Sequence, residues 1–306
     1  MASAPTDPSL RQRGTLAALG GYLLWGAFPL YWKQMEGINA LELIAHRIVW
    51  SLVFLGAIVL WRRETAALRR ALADWRLLGR TLLSGGLLTI NWLVYVWAVN
   101  HGHVIESSLG YFLVPLFNVA LGYLVLGERL RPLQWIAVGG ASVGVILLLV
   151  GVGRLPWIAL SLTSSWGIYG LMRRKTSLGS LDGLALETLL YAPAAAALLL
   201  WRWHTGEGAL GRVDLPTHLF VLSAGWVTAI PLILFAYGAR RIRFTTLGLL
   251  QYLTPTIQFL FGLLLYHEAF DAARFRAYAL IWCGLLLYSA DSLWRQRRPQ
   301  RLMAAE

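Results

Sequence analysis

The segment ALELIAHRIVW concentrates polar chemistry inside an otherwise apolar stretch: Glu42 and His46 stand at i and i+4 on one helix face, with Arg47 beside them. A guanidinium presents a rigid fork of donors that matches a carboxylate or another anion through two parallel hydrogen bonds. Arg47, tuned by Glu42 and His46, is therefore suited to receive the anionic end of a small molecule. The same charge also fits a structural role, paired with a carboxylate such as Glu106 to hold two helices together. Softer candidates fall in other apolar stretches: the amides Asn91, Asn118, Gln251 and Gln258, the tyrosines Tyr95, Tyr191 and Tyr252, and the indoles of Trp25 and Trp166. An amide without a partner is costly in such surroundings, so these groups are expected to face the interior, either lining a cavity or bonding between helices.

Catalytic chemistry has no comparable footing. No GxGxxG, Walker or HExxH sequence occurs, and no nucleophile is paired with a base. His101 and His103 flank Gly102 without cysteine or carboxylate support, which is a weak metal signal. The chain is read as a non-enzyme with no catalytic residue, no metal and no cofactor.

The elements that must position these groups follow from composition. Of the 306 residues 58% are hydrophobic and 14% charged, against about 25% charged in soluble domains. Mean hydropathy is +0.59. Uncharged stretches of about 18 residues or more, the length that crosses a bilayer, recur along the chain. They predict an all-α integral membrane protein with ten transmembrane helices near 14–32, 40–61, 78–99, 105–126, 132–150, 156–172, 182–201, 217–239, 245–266 and 273–293. The first stretch follows Arg11 and Arg13, as a signal peptide would, but runs into LYWK instead of a small-residue cleavage site and reads as an uncleaved span. The single cysteine, Cys283, excludes an intrachain disulfide and is expected to be buried or lipid-facing.

Lysine and arginine accumulate on the cytoplasmic side of short loops. Arg11 and Arg13, the run from Arg62 to Arg80, Arg129 and Arg131, Arg173 to Lys175, Arg240 to Arg243 and Arg295 to Arg301 all fall on one side of the predicted spans. Both termini are therefore expected in the cytoplasm, with the protein multi-pass in the inner membrane. The formal charge of +12 is explained by these loops and by anionic lipid headgroups, so no nucleic-acid partner is expected. The loop WRRETAALRRALADWRLLGR reads either as a short amphipathic helix on the membrane or as a solvated connector.

The chain also repeats itself. A shift of about 140 positions carries Leu113 onto Leu253, Pro115 onto Pro255, Gly122 onto Gly262, Glu128 onto Glu268, Gly85 onto Gly225 and Gly144 onto Gly284. With one residue more, Trp25 and Gly26 fall on Trp166 and Gly167. Asn118 and Gln258 match as well. Five spans per unit leave the second unit running the opposite way, so the halves form two inverted five-helix repeats, residues 14–150 and 156–293, between cytoplasmic tails 1–13 and 294–306. Where the second span has Arg47, the seventh has Glu187 and Tyr191 without a His-Arg pair, and Glu187 is expected at the cytoplasmic rim. Pro115 and Pro255 are candidate paired hinges or static kinks, and prolines 29, 193 and 231 also fall within spans. Gly140 and Gly144 form a GxxxG step expected to pack within the chain, with a homodimer contact as the alternative.

Three segments carry a family likeness: YLLWGAFPLYWK, ELIAHRIVWS and SSLGYFLVPLFNVALGYLVLGERL. With the paired halves they resemble the EamA-type transporters of the drug/metabolite transporter superfamily, and more narrowly the RarD group. The resemblance implies ten helices, two five-helix units and a central cavity with small metabolites or drugs as cargo. The expected function is secondary transport by alternating access; the rivals are translocation of a lipid-linked molecule and a non-transporting scaffold or sensor. The related small multidrug antiporters carry a glutamate in their first helix, whereas neither the first nor the sixth span here has a carboxylate. Proton coupling through His46 or Glu42, facilitated exchange and uniport all fit the sequence.

Overall fold

Apolar runs whose backbone polar groups lipid cannot satisfy must bond internally, and the helix is the local solution. The computed structural model describes residues 8–62, 66–126, 132–152, 155–174, 178–239, 241–242, 247 and 250–302. Among them there are helices and turns but no strand. In chain order they are α1 Pro8–Gly26, α2 Phe28–Lys33, α3 Ala40–Arg62, α4 Ala66–Ala73, α5 Trp75–Asn100 and α6 Val104–Leu126. Then follow α7 Pro132–Val152, α8 Trp157–Arg174, α9 Ser180–Thr205, α10 Leu215–Ala239, α11 Leu253–Leu260 and α12 Ala272–Leu302. A π turn, Phe261–Leu265, extends α11.

Among the described residues five helices are long and apolar enough to cross a membrane: Ala40–Arg62, Trp75–Asn100, Val104–Val125, Leu181–Thr205 and Leu215–Phe235. Two expected spans are discontinuous. The first breaks at Ala27 into α1 and α2, because Pro29 enters at the start of a new helical turn. The ninth, expected over 245–266, has a turn at Gln251 and Tyr252 before α11 begins. Pro255 consequently sits in the first turn of α11, where its missing N–H breaks no helical hydrogen bond. Pro115 lies within α6. The two matched prolines therefore occupy different helical environments.

Packing follows the repeat. The helices α3 and α9, α6 and α11, and α7 and α12 pair across the halves as counterparts, while α1 packs on α10 as α8 packs on α5. Exchanging the halves maps each counterpart pair onto itself and the α1–α10 contact onto the α8–α5 contact. Matched glycines mark close crossings. A Cβ on Gly26 would meet Ile257 at 2.8 Å, and one on Gly167 would meet Phe117 at 2.5 Å. A Cβ on Gly144 would meet the Ala277 carbonyl at 2.9 Å, and one on Gly284 the Ala137 carbonyl at 2.9 Å. Gly140 has open space around it, so the GxxxG step packs within the chain through Gly144 alone. Cys283 is exposed on α12.

Of the basic loop, α4 is helical and Asp74 caps α5 by accepting from the N–H groups of Arg76 and Leu77. Glu128, Arg129, Arg131, Lys175, Arg240 and Arg243 lie outside the described residues.

Candidate functional site

Proline 29 sets the shape of one wall. Lacking an N–H, it leaves the carbonyl of Trp25, four residues earlier, without its helical donor. Gln258 of α11 supplies the missing bond, donating Nε2 to that carbonyl at 3.0 Å, and Thr254 donates Oγ1 to the neighbouring Tyr22 carbonyl at 2.9 Å. These bonds tie the kinked α1 to α11 and open a cavity of about 650 Å³ between the halves. Tyr22, Trp25, Phe28, Trp92, Tyr95 and Tyr111 line it from the first half. Trp166, Tyr169, Phe235 and Tyr237 line it from the second. Edge-on contacts interlock the rings: Trp92 and Tyr95 are 6.2 Å apart, and Tyr95 and Tyr111 are 5.8 Å apart.

At one end the cavity reaches Arg62, Arg173 and Arg241, at the C-terminal ends of α3, α8 and α10. No carboxylate lines it among the described residues. At the opposite end of the bundle carboxylates cap helices. Glu268 accepts from the N–H groups of Val104 and Ile105 at 2.6 and 2.8 Å, and Tyr278 donates its hydroxyl to the Ile105 carbonyl at 2.9 Å. Glu106 accepts from the Ile158 N–H at the start of α8. Carboxylates at helix N-termini complement both the open N–H groups and the helix dipole.

Several sequence candidates meet at the cavity: Trp25, Tyr95, Trp166, Gln251 and Gln258 line it. Asn91 stands just behind, donating to the Leu162 carbonyl at 3.0 Å and Ser165 Oγ at 2.9 Å while accepting from the Tyr111 hydroxyl. It orients a lining tyrosine. Arg47 is 6% exposed and lies behind the wall. Its Nε donates to Thr228 Oγ1 at 3.3 Å, and its guanidinium stacks 3.8 Å from the Trp92 ring centroid. The expected pair with Glu106 is not formed, because that carboxylate caps α8 and Arg47 is satisfied by α10 and an aromatic face.

Other candidates lie apart. Glu42 accepts from Arg202 Nε at 3.0 Å and from the Ala209 N–H, clamping the C-terminal end of α9 and the segment that follows. His46 is 1% exposed, 3.8 Å from Glu42, with neither ring nitrogen hydrogen-bonded. Tyr191 donates to the Leu82 carbonyl and packs over Gly85 and Gly86. Tyr252 packs against the apolar cluster around Phe259 and Tyr278. Asn118 is exposed beside Gly167 and is not among the residues that line the cavity, and it differs from its repeat partner Gln258, which is 2% exposed. Glu187 is 3% exposed, not at a solvated rim. It accepts from Ser84 at 2.6 Å and Tyr169 at 3.2 Å and lies 3.9 Å from Arg173. Arg47 and Glu187 are related by the 140-residue shift and line one small space between α3, α5, α9 and α10.

Sequence reasoning missed Trp92, Tyr111, Tyr169 and Phe235 as lining residues. Nothing separates them from other aromatics until the helices are rotated into place.

A duplicated helical bundle with a cavity between its halves is an architecture that suits a membrane transporter. The chain belongs to the EamA-like transporter family, which matches residues 12–150 and again 155–290. It is 42% identical over 296 residues to Protein RarD of Streptomyces exfoliatus, covering 96% of this chain and 94% of that one. It is 41% identical over 289 residues to the uncharacterized transporter YojE of Bacillus subtilis, covering 93% and 96%. The chloramphenicol-sensitive protein RarD of Pseudomonas aeruginosa is 31% identical over 294 residues, covering 94% and 97%. A solved crystal structure superimposes with a TM-score of 0.58 at 23% identity over 90% of this chain and 97% of that one, a likeness of fold alone.

Proposed function

We propose that the protein is a secondary transporter of the bacterial inner membrane that moves a small metabolite or drug by alternating access between two inverted five-helix repeats. The observation that carries this reading is the 650 Å³ cavity lined by both halves, reaching the arginine-bearing end while the far end is capped by Glu268. A cavity of that volume suits a molecule of one or two rings. The arginine-bearing ends face the cytoplasm by the positive-inside rule, so this conformation is inward-facing with both termini inside. The pairing of helices under exchange of halves supports a second state in which the two repeats trade roles.

The test is counterflow in proteoliposomes, with labelled amino acids, organic acids, aromatic compounds and chloramphenicol as the panel. Saturable exchange of at least one compound, absent from empty liposomes and lost in a Trp25→Ala, Trp166→Ala double variant, is the expected result. Binding without exchange would make the chain a sensor. Exchange of none of the panel together with no binding would overturn the reading.

A further inference from the structure

Arg47 keeps most of its bonding capacity after its neighbours have been served. A guanidinium has five N–H donors. Nε gives one to Thr228 Oγ1, and the Trp92 ring lies against the guanidinium face. Among the described residues no acceptor meets Nη1 or Nη2, and neither nitrogen is closed off from open volume. The guanidinium has no ion pair there either. Glu187 lines the same small space but is engaged by Ser84 and Tyr169 and stands 3.9 Å from Arg173. With Glu187 matched to Arg173, the charge of Arg47 has no counterpart. A buried charge in that condition is costly unless an opposite charge joins it.

The space that Arg47 lines holds about 30 Å³, room for one or two groups of water's size. Ser51, one turn further along α3, brings a hydroxyl to the same wall. Leu55, Leu184 and Ala229 line both this space and the aromatic cavity, so the two adjoin there. We propose that Arg47 binds one small monovalent anion in this space, supplied either as a free halide or as the carboxylate end of a cargo entering from the cavity. The anion accepts from the Nη donors and from Ser51, and it neutralises the guanidinium that Thr228 and Trp92 hold in place. A divalent ion meets the repulsion of Glu187 as well as the lack of room. The halide form is independent of the transport reading; the carboxylate form rests on the cavity being the cargo site.

Thermal unfolding of the full chain in detergent tests this, with sodium gluconate as the background salt and chloride, bromide, formate or sulfate replacing it at constant ionic strength. Chloride, bromide and formate should raise the midpoint saturably, because a ligand of the native state stabilises it by mass action, and sulfate should not. Arg47→Gln should abolish the saturable rise. Glu187→Gln removes the competing negative charge and should lower the half-saturating chloride concentration several-fold, whatever it does to the midpoint itself. A side chain that serves only packing would not move that concentration. Phenylacetate distinguishes the sources: if it shifts the chloride titration to higher concentration, the site takes the carboxylate end of a cargo, and if it leaves the titration unchanged, the ligand is the free ion. Midpoints in chloride, bromide and formate no higher than in gluconate, an equal rise in sulfate, a rise kept by Arg47→Gln, or a Glu187→Gln variant that needs more chloride would each overturn the proposal. Counterflow without any halide effect would leave the transport reading standing alone, and a halide effect without counterflow would leave this site standing alone.

Discussion

Arg47 shows how a residue of evident chemical potential is put to use by its surroundings. Its guanidinium is stacked on Trp92 and bonded to Thr228, so it fixes the back of an aromatic wall. Thr228→Val is nearly isosteric and strips Arg47 Nε of its acceptor, leaving a buried donor unsatisfied. That should cost about 1–3 kcal/mol, and the thermal midpoint of the purified protein should fall by several degrees. An unchanged midpoint would mean that Thr228 does not hold the guanidinium. Glu42 is a clamp of similar kind. Glu42→Gln should loosen the contacts to Arg202 and Ala209 and lower the midpoint by an amount corresponding to about 1–3 kcal/mol, the range for charge-assisted bonds. Full stability in that variant would show the clamp to be idle. That polar residues would sit inside was legible from the cost of burying them; which of them share a wall was not, because Asn118 and Gln258 match in sequence yet differ in exposure.

At the scale of elements, the glycine pairs were the most informative part of the sequence. Gly144 and Gly284 each bring α7 and α12 together, and each would drive a Cβ into a backbone carbonyl of the other helix. Gly144→Val should therefore destabilise by about 1–3 kcal/mol through overpacking, while Gly140→Val, in the same GxxxG step but facing open space, should leave the melting curve within about 0.5 kcal/mol of the parent. Equal behaviour of the two variants would contradict the packing seen. Proline placement was read less well. All five span prolines invite a bend by the same local rule, but the rule depends on position along the helix, and only the break before α11 puts Pro255 where its missing N–H does no harm.

For the molecule as a whole, the charge asymmetry between helix ends makes a prediction about sidedness. On a Cys283→Ala background, a cysteine replacing Arg241 should react with an impermeant maleimide only in inside-out vesicles, and one replacing Glu36 only in intact spheroplasts. The opposite pattern would reverse the assigned orientation. Sequence alone determined that the chain is an apolar helical protein, that it is duplicated, and which family its motifs resemble, because hydropathy, helix length and repeated Gly and Pro positions are local or periodic properties carried by residue type. Only the tertiary structure decided that Gln258 rather than Arg47 stands at the cavity wall, that Glu106 and Glu268 cap helices, and that the aromatic side chains of both halves converge on one space. Those outcomes depend on the rotation of each helix about its axis and on kinks at Pro29 and before α11, and rotation is set by packing against helices more than a hundred residues away in the chain.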